Sequence, residues 1–277
     1  MTPKAEIDRI ERLVEEGEDD RALQASESLL RRFPDLPAAL VCRAEVCHAL
    51  DLPRPAAEAA SAALERLDPA HPEDRELRVR TLYVLAWAQW QAWEFEAAER
   101  SLRELLSLTD DHAAAWDLLA HLLEQTGRSS EAADAARRAE RLDPELFPVP
   151  VTFGAEQVEE AIRTALAQLP EDLRTLADEV PIVVQDFPTR EMAVPPSSEE
   201  PPLPPDILGL YVGESRLERS YLNPLPAPGT IFLFKRNLER FCADRESLAE
   251  EIAITLHHEL AHCWGFEERH MGELGLE

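Results

Sequence analysis

Apolar residues recur every three or four positions throughout residues 1–144, which is the spacing of amphipathic α-helices. This part of the chain is rich in Ala, Leu, Glu and Arg and has no strand-like run. Helical stretches close at Phe33-Pro34, Leu67-Asp68-Pro69, Leu108-Thr109-Asp110 and Leu142-Asp143-Pro144, and successive closures are 35, 41 and 34 residues apart. A recurring interval of this length predicts an all-α domain of stacked helix pairs.

The last of these units shows the clearest order of large and small residues. Its pattern positions are Trp116, Leu119, Ala120, Leu123, Gly127, Ala132, Ala136, Ala139 and Pro144. The unit resembles a tetratricopeptide repeat. This resemblance implies about four helix pairs over residues 1–144, the first of them partial, with a concave surface that can bind a protein partner.

Five aromatic residues cluster in the third unit, at spacings that describe one helix face. They are Tyr83, Trp87, Trp90, Trp93 and Phe95. We expect most of them to pack in the core, which leaves one or two rings for a partner.

The pattern changes after the repeats. Pro148 and Pro150 exclude a helix and indicate a linker at 145–153. An amphipathic helix is predicted from Val158 to Leu169, followed by a short helix over 171–178. β-Branched and apolar runs at 181–187, 208–213 and 230–235 predict three strands, and the proline-rich stretch 194–205 predicts a surface loop. The region 154–277 is therefore expected to form a small α+β domain.

The motif His-Glu-x-x-His occurs once, as His258, Glu259 and His262. On a helix, positions four apart lie on one face about 6 Å apart along the axis, so both imidazoles can bind one Zn²⁺. The adjacent Glu259 can then act as the general base toward a metal-activated water. His257 points about 100° away around the helix and is expected in a supporting or surface position.

The limits of this helix are also marked in the sequence. Ser247 and Glu250 form a candidate capping box, and Gly265 permits the left-handed turn that ends a helix. Leu248, Ile252, Thr255, Leu256 and Glu259 trace one helical stripe.

A third metal ligand is expected after Gly265. The longer pattern H-E-x-x-H-x-x-G-x-x-ligand places Glu268 there. The other candidates in the 12 residues after Gly265 are Glu267, His270, Glu273 and Glu277.

Residues 154–277 resemble the small bacterial zincin-like metallopeptidases, whose signature is H-E-x-x-H-x-x-G-x-x-D. Further matches are Leu-Pro-Glu-Asp-Leu at 169–173, Val-Val-Gln-Asp at 183–186, Leu-Gly-Leu-Tyr at 208–211, Glu-Arg-Ser-Tyr at 218–221 and Glu-Leu-Gly at 273–275. The resemblance implies a zincin-like domain with His258, His262 and an acidic residue as zinc ligands and Glu259 as the base. Glu268 stands where the family has Asp, which leaves Glu267 and His270 open as alternatives.

Charge and cysteine content restrict the partners and the compartment. With 55 acidic and 28 basic residues the net charge is −27, which disfavours nucleic acid and anionic lipid as partners. The start of the chain does not have the pattern of a signal peptide, and no apolar run approaches the ~20 residues of a membrane span. We expect a cytoplasmic protein in which Cys42, Cys47, Cys242 and Cys263 are free thiols.

Two functions fit these patterns. The first is a zinc-dependent peptidase whose repeats recruit a substrate or partner, with strand 230–234 offering an open edge to an extended peptide. The alternative is an interaction protein in which the zincin-like domain binds metal without catalysis. The intact Glu259 favours the peptidase, because a purely structural metal site does not need a base at that position.

Overall fold

The structure is a computed structural model that describes residues 2–194, 202–213 and 229–265, apart from the side chain of Asp172. The chain divides into two compact units, Met1–Pro148 and Val149–Glu277. The division falls at the prolines of the predicted linker.

The first unit is helical, and its helices pair in sequence order, which confirms the predicted helical repeats. The pairs are α1 (Pro3–Glu15) with α2 (Asp19–Arg32), α3 (Pro37–Ala49) with α4 (Pro53–Leu64), α5 (Arg75–Gln91) with α6 (Phe95–Leu108), and α7 (Ala113–Gln125) with α8 (Ser129–Leu142). The first pair was expected to be partial, yet its helices have 13 and 14 residues. Thr2 caps α1 by accepting a hydrogen bond from Ala5, Pro3 fits its first turn, and Ile10 and Leu13 are buried.

The turn inside each pair has the same geometry. The residue two positions after the first helix has a positive φ, namely Gly17 (+68°), Asp51 (+52°), Trp93 (+63°) and Gly127 (+77°). The next residue donates its N–H to a carbonyl five positions back, at 2.8 Å in all four turns. This is the Schellman pattern that ends a helix. The pattern recurs in all four turns, although only two of them have glycine at the position with positive φ.

The spacing of the turns explains the irregular repeat length. Positions 17, 51, 93 and 127 are 34, 42 and 34 residues apart. The longer middle interval contains the 17-residue α5 and an extended connection with a 3₁₀ turn at Pro72–Asp74. The extra residues therefore leave the paired helices intact.

The aromatic residues of the third unit mainly fill its core, as predicted. Trp90 is buried and its indole N–H donates to Gln125 Oε1 at 2.8 Å. Tyr83, Trp87 and Phe95 are partly buried against the same core. Trp93, also partly exposed, lies 5.6 Å from the ring of Phe95.

The second unit contains helices around a small mixed sheet, as expected for an α+β domain. Its helices are α9 (Ala155–Gln168), α10 (Glu171–Ala177), α11 (Arg190–Ala193), α12 (Lys235–Phe241) and α13 (Arg245–Trp264). Its strands are β1 (Ile182–Gln185), β2 (Gly209–Val212) and β3 (Thr230–Phe234). All three predicted strands are present. One apolar core joins α9, α13 and β3.

The strand order differs from the expectation that β3 has an open edge. β3 lies between β1, to which it is parallel, and β2, to which it is antiparallel. Ile231, Leu233 and Phe234 are fully buried, as suits a central strand. The prediction of peptide pairing along β3 is therefore wrong, because both of its edges are already hydrogen-bonded.

The repeated turn geometry leads to a stability prediction. Replacing Gly127 with Ala should lower the free energy of unfolding by about 1 kcal/mol, because an L-residue is strained at positive φ. A Cβ at this position would meet no atom within 4 Å, so the loss would come from the backbone alone. Urea unfolding followed by circular dichroism measures it.

The control is Gly127→Asn, which should cost less than Gly127→Ala because Asn tolerates the left-handed region. Equal losses for the two variants would contradict a backbone cause.

Candidate metal centre

The helix that carries the His-Glu-x-x-His motif is α13, and its start is fixed by Asp244. The Asp244 carboxylate accepts hydrogen bonds from the N–H groups of Glu246 and Ser247 at 3.0 and 2.9 Å. The Ser247 hydroxyl in turn accepts from the Asp244 N–H at 3.1 Å. The predicted capping box at Ser247 and Glu250 is therefore wrong by one turn. Asp244 has the extended backbone of a cap residue, whereas Ser247 is already helical.

The other features predicted for this helix are confirmed. It ends at Gly265, which is left-handed with φ +86°. The helical stripe is buried at every position, namely at Leu248, Ile252, Thr255, Leu256 and Glu259. These contacts hold α13 in one rotation about its axis, which leaves His258 and His262 partly exposed.

The two motif histidines converge. Their Nε2 atoms lie 3.0 Å apart and their rings are 4.6 Å apart at 80°. Two nitrogens that bind one Zn²⁺ at about 2.0–2.1 Å in tetrahedral geometry would lie about 3.3 Å apart. The observed separation therefore fits two ligands of a single ion.

Glu259 lies beside this pair in a desolvated position. Its side chain is buried, and burial raises the pKa of its carboxyl group from about 4.5 to about 7. The Tyr211 N–H donates a 2.6 Å hydrogen bond to Glu259 Oε2, which opposes the rise. A buried carboxyl group with a pKa near 7 can take up and release a proton at neutral pH.

The burial of Glu259 depends on the close approach of β2 to α13. A Cβ built at Gly209 would lie 2.6 Å from Thr255 Cγ2 and 3.1 Å from Glu259 Cγ. Only glycine fits this place without a shift. Gly209 and the backbone of Tyr211 were not predicted as part of the site, although a glycine inside a strand is a known sign of close backbone approach.

The remaining candidates fall into two groups. His257 Nε2 lies 2.9 Å from the carbonyl oxygen of Ala165 on α9, so this imidazole turns away from the motif histidines, as expected. The third-ligand candidates Glu267, Glu268, His270, Glu273 and Glu277 lie outside the described residues. Across residues 2–194, 202–213 and 229–265, no three His, Cys, Asp or Glu side chains form a metal-binding group.

Two further expectations concern the chain as a whole. Cys42, Cys47, Cys242 and Cys263 are free and buried. Within the described ranges, no helix combines the length and the hydropathy needed to cross a bilayer.

The raised pKa of Glu259 predicts a pH-dependent stability of the metal-free protein. A carboxyl group that ionises near 4.5 when unfolded but near 7 when folded stabilises the fold below pH 4.5, and this stabilisation is lost as the pH rises through 7. The free energy of unfolding of metal-free Glu259→Gln should therefore rise relative to that of the wild type by about 2–3 kcal/mol as the pH is raised from 4.5 to 8. Urea unfolding across this range measures the difference, and a constant difference would contradict it.

The contact at Gly209 predicts a compensating pair of substitutions. Gly209→Ala should lower stability by about 1–3 kcal/mol, because the added methyl overlaps Thr255 Cγ2. Thr255→Ser removes that atom, so Gly209→Ala should cost less in the Thr255→Ser background. A double-mutant cycle by thermal unfolding measures the coupling, and simple additivity would show that this methyl is not the obstacle.

Comparisons with known proteins concern both parts of the chain. The family model for the zincin-like metallopeptidase matches residues 177–276. None of the curated proteins matches the chain. Among solved structures, a crystal structure of MamA protein is 19% identical, with a TM-score of 0.43, and the match covers 64% of this chain and 86% of that one. TTC0263, a thermophilic TPR protein of Thermus thermophilus, is 21% identical with a TM-score of 0.33, over 52% of this chain and 93% of that one. The carboxyl-terminal region of the chain, residues 177–276, is therefore similar to the zincin-like metallopeptidase family.

Proposed function

We propose that this protein is a zinc-dependent peptidase. His258 and His262 would hold the ion, with Glu268 as the third ligand, and Glu259 would serve as the general base. The observation that carries the proposal is the 3.0 Å separation of the two Nε2 atoms beside a buried Glu259. A structural site would need the two histidines but has no use for a desolvated carboxylate next to them.

The protein's own groups define the proton path. When bound, Zn²⁺ supplies Lewis acidity toward a water molecule and a substrate carbonyl. Glu259 accepts the proton of the attacking water and passes it to the nitrogen of the leaving amine. Between these two steps the buried carboxylate of Glu259 holds the proton.

The substrate is expected along β2 rather than along β3. The Tyr211 N–H points away from β3 and toward Glu259, so the outer edge of β2 borders the site. In the described part of the sheet, β2 is an edge strand that pairs with β3 alone. An extended peptide could add to this edge and pass the carboxylate.

The repeats are proposed to recruit the substrate or a protein partner. Aromatic rings from the first helices of successive pairs form a row, with His48 of α3 4.5 Å from Trp87 and 5.5 Å from Tyr83 of α5. Tyr83 lies 5.0 Å from His112, the cap of α7. These four rings are partly exposed, and such rings are frequent anchors at protein interfaces.

The test compares cleavage of a peptide library by the zinc-loaded wild type and by Glu259→Gln. Loss of the base should reduce kcat/KM by about 10²–10⁴-fold while the bound zinc stays at the wild-type level. His258→Ala should lose both the metal and the cleavage. Elemental analysis measures the zinc, and a chelator should abolish wild-type activity.

Glu246→Gln is the matched control, because Glu246 is an exposed carboxylate in the first turn of the same helix. It should cleave like the wild type. Zinc bound at full occupancy without any Glu259-dependent cleavage would overturn the peptidase and favour the non-catalytic alternative.

A further inference from the structure

A groove of about 730 Å³ runs between α9 and α13 on the surface of the second unit. Its lining includes four alanines, Ala161 and Ala165 of α9 and Ala249 and Ala253 of α13. Small side chains at these positions leave the groove open along its middle. Its volume lies within the range of about 300–1,000 Å³ that ligand sites occupy.

The groove has the length and walls of a helix-binding surface. Its lining extends from Glu156 to Gln168 on α9, which is about 18 Å or three helical turns. Ile254 forms part of one wall and is 42% exposed, so its side chain is accessible to a bound helix. The channel between two packed helices can accept the side-chain ridge of a third helix.

The charge of the lining selects the kind of helix. Glu156, Glu160 and Glu250 line the groove, and none of the lining residues that the structure describes is Lys or Arg. Glu160 pairs with Arg163, whereas Glu156 and Glu250 form no ion pair within the described ranges. Arg245 lies outside the lining, with its guanidinium 5.8 Å from the centre of the Phe153 ring.

The groove is separate from the metal centre on the same helix. With about 100° per residue, Ala253 and His257 point about 120° and 160° away from Glu259 around α13. Glu259 faces β2, whereas the imidazole of His257 contacts α9. Occupation of the groove therefore needs neither bound zinc nor an ionised Glu259.

We propose that the α9–α13 groove is a docking site for an amphipathic helix of a partner protein, with apolar residues on the face that enters the groove and Lys or Arg on its flanks. The apolar residues cover Ile254 and the partly exposed Ala249 and Ala253, and the cations lie against Glu156 and Glu250. This is the helix-in-groove mode of recognition, with charge selecting the partner. It stands independently of the peptidase proposal.

The experiment measures binding of two labelled model peptides of about 16 residues, long enough to span the groove as a helix. Both carry the same Leu and Ala face, and one has Lys and the other Glu on its flanks. Fluorescence anisotropy with the full chain should show at least tenfold tighter binding of the Lys peptide. Glu259→Gln should bind it like the wild type, so a failure of the peptidase proposal would leave this result unchanged.

Two variants locate the binding site. Ala253→Arg places a long side chain in the middle of the groove and should weaken binding of the Lys peptide at least tenfold. The circular dichroism spectrum checks that this variant folds. Glu156→Lys combined with Glu250→Lys should reverse the preference toward the Glu peptide. This exchange tests the groove even if Ala253→Arg does not fold.

The control for the exchange is Glu159→Lys combined with Glu246→Lys. These residues are exposed on the same two helices but lie outside the groove lining. The control should keep a preference for the Lys peptide.

Equal binding of the two peptides, or the same change in both charge-exchanged variants, would overturn the proposal. Sedimentation showing self-association that Ala253→Arg abolishes would also overturn it, because the occupant would then be a second copy.

Discussion

The packing of β2 on α13 is the contact on which the candidate site depends. Gly209 lets the strand lie against Thr255 and Glu259, and this approach brings the Tyr211 N–H to the carboxylate. The same contact removes water from Glu259 and raises its pKa. His258 and His262 need only the helix to converge, because their spacing is set by the helical repeat. The environment of Glu259 is therefore a tertiary property, whereas the pairing of the histidines is a local one.

The helices and strands that depend on a local sequence pattern could be predicted. β-Branched runs located the three strands, and the helical periodicity located α9, α13 and the repeats. The order of the strands was not local information, since β1 and β3 pair in parallel although they are far apart in the sequence. The start of α13 was ambiguous because Asp244 and Ser247 both head a capping pattern, and only the backbone conformation distinguishes them. The recurring Schellman turns were hidden for a related reason, since Asp51 and Trp93 occupy positions where the sequence signal would be glycine.

The candidate site was predicted to a similar extent. The motif predicted His258, Glu259 and His262 as site residues, and the structure places the two imidazoles in contact. The contacts that Gly209 and the Tyr211 backbone make with Glu259 were not predicted from the sequence. A backbone N–H has no sequence signature, and its importance arises from a strand and a helix that are about fifty residues apart. Glu268 remains a prediction, because it lies outside the described residues.

The arrangement of α13 limits how the groove and the metal centre can influence each other. The two motif histidines are held on one helix, so a rotation of α13 would move them together and keep their separation. Glu259 is different, because its partner Tyr211 belongs to β2 and would not follow the helix. If α13 moves between two positions, a helix docked between α9 and α13 can shift the equilibrium between them only by the difference in its affinity for each. Any coupling should therefore alter the surroundings of Glu259 more than the pairing of the two histidines.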